Sequence, residues 1–153
     1  MTNLTYRYLM LLNHSAYQKQ MYESITELNL SIGQPKIMDF LYENDGCIQK
    51  DIAAGCQLEP ASVTSILSKM EQEGYVIRKK EGGNRRSLYV YLTDSGRKTA
   101  EKVRIAMEKM EETALNALTE EEQKTLMILL KKVNTGLLGN EFVSKEETEE
   151  SEE

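Results

Sequence analysis

A chain of 153 residues, 40% hydrophobic and 29% charged, is long enough to bury one core of ordinary size and too short for several. Two cysteines without CxxC spacing, Cys47 and Cys56, and a single histidine, His14, indicate neither a disulfide framework nor a zinc cluster. The formal charge of −6 resides in residues 141–153, which hold seven glutamates and one lysine, so residues 1–140 balance at zero.

Residues 1–140 therefore read as a single domain and 141–153 as an acidic, solvated, disordered tail. No apolar run approaches the ~20 residues that a membrane span needs, and the N-terminus has neither the basic lead nor the cleavage site of a secretory signal. The expected location is cytoplasmic, with no membrane partner. No Gly-rich phosphate motif, metal-ligand spacing or nucleophile–base pair stands out, so the chain reads as no enzyme, with no metal and no cofactor.

In chain order, the apolar residues from Leu4 to Leu28, uninterrupted by proline or glycine, predict one long helix to about residue 29 with an unusually wide apolar face. Ser31 with Gln34 three residues on forms a capping-box pattern before Ile37, Met38, Phe40 and Leu41, and Asn44-Asp45-Gly46 ends that second helix. A short helix through Ile48, Ile52 and Ala53, a turn at Gly55 and a helix entered at Glu59-Pro60 follow. In that last helix Val63, Ile66, Leu67 and Met70 keep i, i+3, i+4, i+7 spacing, which leaves Ser62, Thr64, Ser65, Ser68 and Lys69 on or near the opposite face. This is a helix-turn-helix pattern, in which the second helix enters a DNA major groove.

Gly74 closes that helix, a strand begins at Tyr75-Val76-Ile77-Arg78, and Leu88, Val90 and Leu92 alternate on a returning strand. From Lys69 to Lys98 eight cations stand against four acids, and Arg85 and Arg86 lie at the tip of the hairpin beside Gly82-Gly83. Glycines admit close backbone approach to a sugar-phosphate surface, and arginines suit the negative potential of a narrow minor groove. Thr93 then caps a long helix bearing Val103, Ala106, Met107 and Met110, and Leu118-Thr119-Glu120-Glu121 opens a last apolar helix through Leu126, Ile128, Leu129, Leu130 and Val133.

From about Leu30 to Gly96 the chain resembles the MarR family of winged helix-turn-helix transcription regulators. The resemblance is carried by LSIGQPKIMDFL, by IQKDIAAGCQLEPASVTSILSKMEQEGYVIRK with its Glu71-x-x-Gly74-Tyr75 run, and by NRRSLYVYLTDSG with Leu92-Thr93-x-x-Gly96. It implies a mostly α fold with a small β-hairpin wing, whose lobe spans about 31–93. It further implies a homodimer with a helical base made by the N- and C-terminal helices, about 3–29 and 94–138. Where the family's wing usually has an aspartate two residues before the groove-entering arginine, this chain has Asn84.

The implied function is a sequence-specific DNA-binding regulator, a repressor on a palindromic operator, with double-stranded DNA and a second copy of itself as partners. Candidate DNA contacts are Gln49, Lys50, Ser62, Thr64, Ser65, Lys69, Arg78, Lys80, Arg85 and Arg86, with Arg86 preferred for the minor groove. The resemblance also implies a small aromatic effector in a pocket between base and lobe. Met10, His14, Tyr17 and Met21 are candidates for lining it, although a Met and Tyr stripe at helical spacing equally fits plain core packing. Two alternatives stand beside this reading: an oxidant sensor through Cys47 or Cys56, and a winged-helix module that binds protein without specific DNA binding.

Overall fold

In the computed structural model, which describes residues 4–81 and 87–139, six helices and three short strands follow one another. They are α1 (Tyr6–Ser24), α2 (Gln34–Glu43), β1 (Cys47–Ile48), α3 (Gln49–Gly55), α4 (Pro60–Gln72), β2 (Val76–Lys80), β3 (Leu88–Leu92), α5 (Asp94–Leu115) and α6 (Glu120–Leu138), with a 3-10 turn at Thr26–Leu28 after α1. The expected fold class is the one observed. No described helix is long and apolar enough to cross a membrane.

The chain divides into two compact units, Met1–Glu111 and Glu112–Glu153. In the first, the core is built from Ile37, Met38 and Leu41 of α2, Ile52 of α3, Val63, Leu67 and Met70 of α4, Val76 of β2, Val90 of β3 and Val103 of α5, all essentially inaccessible to water. Full burial of such side chains contributes roughly 1.5–3 kcal/mol each relative to exposure, so the helical periods of α2 and α4 and the strand period of β3 converge on one interior. The sheet is antiparallel in the order β1-β3-β2, with Val76 opposite Leu92, Arg78 opposite Val90 and Cys47 opposite Val90 on the other edge.

Several local expectations shift. The first helix stops at Ser24, where the Ser24 hydroxyl bonds the Met21 carbonyl at 2.7 Å and Thr26 bonds that of Tyr22 at 3.0 Å, side-chain competition that helps end the regular ladder. The second helix starts at Gln34 rather than just after Ser31. The Gln34 side chain still accepts from the Ser31 N–H at 2.9 Å, so half of the expected capping box forms around a tight turn through Gly33. Cys47 and Ile48 belong to a strand, because β3 offers them an edge to pair with. Gly55 is the last helical residue and not the turn; a Cβ there would overlap the Phe40 ring, and the left-handed residue is Gln57 at φ 52°.

Helix α4 ends in a Schellman motif: Gly74 at φ 78° follows it, Tyr75 N–H reaches the Met70 carbonyl at 2.9 Å and Gly74 N–H that of Glu71 at 3.1 Å. Helix α5 is capped by Thr93, whose hydroxyl accepts from the Gly96 N–H at 3.0 Å. In the second unit Thr119 and Glu122 form the reciprocal capping box of α6, at 2.8 and 3.3 Å, and Gln123 donates to the carbonyls of Leu115 and Leu118. Among the described residues of α6 none is buried.

Candidate nucleic-acid interface

The core-facing period of α4 decides what its outer face carries. With Val63, Leu67 and Met70 inaccessible, Ser62, Thr64, Ser65 and Lys69 are exposed. The hydroxyls of Ser62 and Ser65 have no intramolecular partner among the described residues, whereas Thr64 donates to the Pro60 carbonyl at 3.1 Å and accepts from Gln49 Nε2 at 3.3 Å. Lys69 bonds the Ser31 hydroxyl and lies 3.9 Å from Glu73, which in turn accepts from buried Gln34 at 2.6 Å. The helix thus presents a small, polar strip at Ser62, Thr64 and Ser65, with exposed Glu59 at its N-cap.

Gln49 is the first residue of α3 and half-buried between Thr64 and Arg78; Lys50 beside it is exposed. Arg78 is turned inward. Its side chain is 17% exposed and its guanidinium donates to Glu71, Gln49 and Ser68. Lys80 is exposed at the end of β2, and Lys79 stands 5.3 Å from the centre of the Tyr91 ring. Arg85 and Arg86 lie outside the described residues. Ser62, Thr64, Ser65, Lys69, Gln49 and Lys50 are therefore carried by the α3–α4 pair, and the strand leading to the wing tip leaves directly from the end of α4.

The base of the wing is tied to the body by Asp45, which accepts from the Leu92 N–H at 2.8 Å and from Arg97 Nη2 at 2.8 Å. Neither this anchor nor Glu71 was visible as a functional residue in the sequence, because both act on partners brought close only by the fold. Their sequence signals are local ones, Asp45 in the Asn44-Asp45-Gly46 helix stop and Glu71 in the Glu71-x-x-Gly74-Tyr75 run, and neither names the partner.

The four residues expected to line an effector pocket are all carried by α1. Met21 is in the core, Met10 and His14 are exposed on α1, and Tyr17 is half-buried at a cleft of about 430 Å³. That cleft is walled by Tyr17, Phe40 and Met107 and edged by Asp39, Glu43, Glu108, Glu111 and Arg104. Arg104 is engaged by Glu43 and, at 3.1 Å, by Glu108. Burial pushes the Asp39 carboxyl up, against the pull of Arg104 and with Glu108 and Glu43 adding to it; burial, Glu111 and Asp39 likewise raise the Tyr17 phenol. Asp39, Glu43, Arg104, Glu108 and Glu111 recur at spacings of three or four along α2 and α5, a period that sequence reasoning could have used.

Residues 30–88 match the family model described as MarR family. The homoprotocatechuate degradative operon repressor of Escherichia coli is 32% identical over 103 residues, 67% of this chain and 69% of that protein. The chain belongs to the MarR family. The Bacillus subtilis HTH-type transcriptional regulator YwhA is 29% identical over 115 residues, covering 75% of this chain and 83% of its own length. The crystal structure of the S. aureus MepR–DNA complex matches with a TM-score of 0.79 and 28% identity, over 88% of this chain and 99% of that one. As a MarR-family protein the chain is a transcriptional regulator with a DNA-binding fold, and not an enzyme.

Proposed function

We propose that this protein is a sequence-specific repressor that binds a palindromic operator as a homodimer. The observation that carries the reading is α4: one face wholly buried, the other offering the unpartnered hydroxyls of Ser62 and Ser65, with the wing strand leaving from its end. Hydroxyls read base edges permissively, while Lys50, Lys69 and Lys80, with Arg85 and Arg86 on the wing, supply phosphate and minor-groove contacts. Support comes from the likeness to MepR, solved on DNA, and from the E. coli relative, whose name is that of a repressor. A two-fold dimer would set its two recognition helices one DNA turn apart, ~34 Å.

The dimer base would be built from α1 and α6, which expose Leu11 at 64% and Leu137 at 69% among other large apolar side chains. A small aromatic effector fits the cleft at Tyr17 and Phe40 better than the stripe of Met10 and His14. With four carboxylates and one engaged arginine at its edge, the cleft favours a neutral or cationic aromatic over an acidic one. Oxidant sensing has little support: burial pushes both Cys47 and Cys56 up to about 11, which leaves few thiolates at neutral pH.

The deciding experiment selects bound duplexes from a random DNA pool with the purified protein and titrates the winner with salt. Enrichment of an inverted repeat, bound by two chains with affinity falling steeply as salt rises, is the expected result. No enrichment, from freshly refolded protein as well, would leave the protein-binding module as the better account.

A further inference from the structure

Among the interface cations Arg78 is held differently. It occupies the middle of β2, opposite Val90, and its side chain is less exposed than that of its partner Glu71, 17% against 39%. Its Nε and Nη2 both donate to Glu71 Oε2, at 3.1 and 2.7 Å, and its own backbone N–H donates to Glu71 Oε1 at 3.2 Å. Nη1 reaches Gln49 Oε1 at 3.4 Å and Nη2 the Ser68 hydroxyl at 3.3 Å, while Gln49 passes on to Thr64. A single guanidinium thus joins α3, α4 and β2.

We propose that Arg78 is a positioning residue, which with Glu71 sets the recognition helix against the wing strand and does not itself contact DNA. The inference rests on the DNA-binding reading above. Between α4 and β2 the chain makes only the turn through Gly74; Met70 and Val76 fix its apolar side, and the Glu71–Arg78 fork fixes its solvent side. A planar fork can restrain that angle in a way a single ammonium cannot, since Nε and Nη2 meet one carboxylate of α4 while Nη1 reaches Gln49 of α3. The same bonds keep the Glu71 carboxyl below its usual range. Without the fork, Ser62 and Ser65 would no longer hold a set angle to the wing, and operator affinity would drop while nonspecific attraction to phosphates remained.

The test compares wild type, Arg78→Lys, Arg78→Ala, Glu71→Gln and the Arg78→Ala/Glu71→Gln double variant on the selected operator and on random duplex, across a salt series. Glu71→Gln is expected to weaken operator binding about tenfold, although it removes a negative charge from the DNA side, and Arg78→Lys to weaken it similarly. Random-duplex affinity and the salt slope should stay as in wild type, and the double variant should be no worse than Arg78→Ala. A Glu71→Gln protein that binds the operator as well or better would overturn the proposal, as would an Arg78→Ala salt slope lower by about one, the mark of a lost phosphate contact. Should Arg78→Ala fail to fold, the near-isosteric change at exposed Glu71 carries the test. Failure of wild type to select any sequence would bring down the DNA-binding reading itself, and is seen before any variant is made.

Discussion

Gly96 shows how a single position can be required by a neighbour that is far away in sequence. A Cβ there would overlap the carbonyl oxygen of Tyr75, which also accepts from the Thr93 N–H at 2.9 Å, so the start of α5 sits directly on the exit from α4. Gly96→Ala is expected to cost about 1–3 kcal/mol, read as a lower melting temperature, because backbone rather than a flexible side chain must move. The cysteines illustrate the opposite case, residues whose chemistry is suppressed by where they lie. Cys56 is buried and its thiol bonds the Lys36 carbonyl at 3.6 Å; desolvation carries both thiols from 9.0 to about 11. At pH 7.5 their alkylation should be about a hundredfold slower than that of an ordinary thiol, and peroxide should leave DNA affinity unchanged in wild type and in Cys47→Ala alike. Between pH 9 and 11 the unfolded chain ionises these thiols and the folded chain does not, so their contribution to stability, complete below pH 9, declines as pH rises. The spacing of Cys47 and Cys56 excluded a metal motif, but neither burial nor its effect on the thiols can be read from spacing.

At the scale of elements, α4 was legible because its pattern, its proline entry and its glycine exit all agree, and the structure starts it at Pro60 as expected. Strand β1 was not legible: two residues have no period, and Cys47-Ile48 becomes a strand only because β3 lies beside it. The candidate site divides in the same way. Ser62 and Ser65 follow from the helical period alone, whereas the inward turn of Arg78 depends on Gln49 of α3 and on Ser68 and Glu71 of α4, two helices that the fold brings to one strand. For the elements proposed to meet DNA, Arg85→Ala and Arg86→Ala are each expected to lower the salt slope by about one and to weaken binding across all sequences. Ser65→Ala should instead relax preference at one operator position, with a loss of about 1 kcal/mol there. Selection repeated with each variant separates these outcomes.

For the whole molecule, the large apolar side chains left exposed among the described residues are the informative ones. Leu9, Leu11 and Leu12 on α1 and Leu4 just before it remain exposed, as do Ile128, Leu129, Leu137 and Leu138 on α6, although both helices are long and well capped. Leu11→Asp and, separately, Leu137→Asp are expected to shift sedimentation from dimer to monomer at micromolar concentration and to abolish operator binding, because a single half-site loses the second recognition helix. A monomeric wild type would remove this account. The proposal that the cleft at Tyr17 and Phe40 takes an aromatic effector is tested with tyramine, 4-hydroxyphenethyl alcohol and 4-hydroxyphenylacetate, which share one ring and differ in end charge. Affinity should fall in that order in calorimetry, and Asp39→Asn should narrow the gap; a reversed order would reject the charge argument.

Periodicity, caps and turn residues are local properties, and they determined the helices α2 and α4 to α6, the hairpin and the polar face of α4 from the sequence by itself. They also carried the resemblance that the relatives then bore out at the level of the family. Only the tertiary structure decided that Arg78 is enclosed, that Met21 is core while Tyr17 borders a cleft, and that Gly55 and Gly96 serve close packing rather than turns. Each of these depends on residues far apart in the chain meeting at atomic distance, and no single stretch of sequence encodes the distance to its partner.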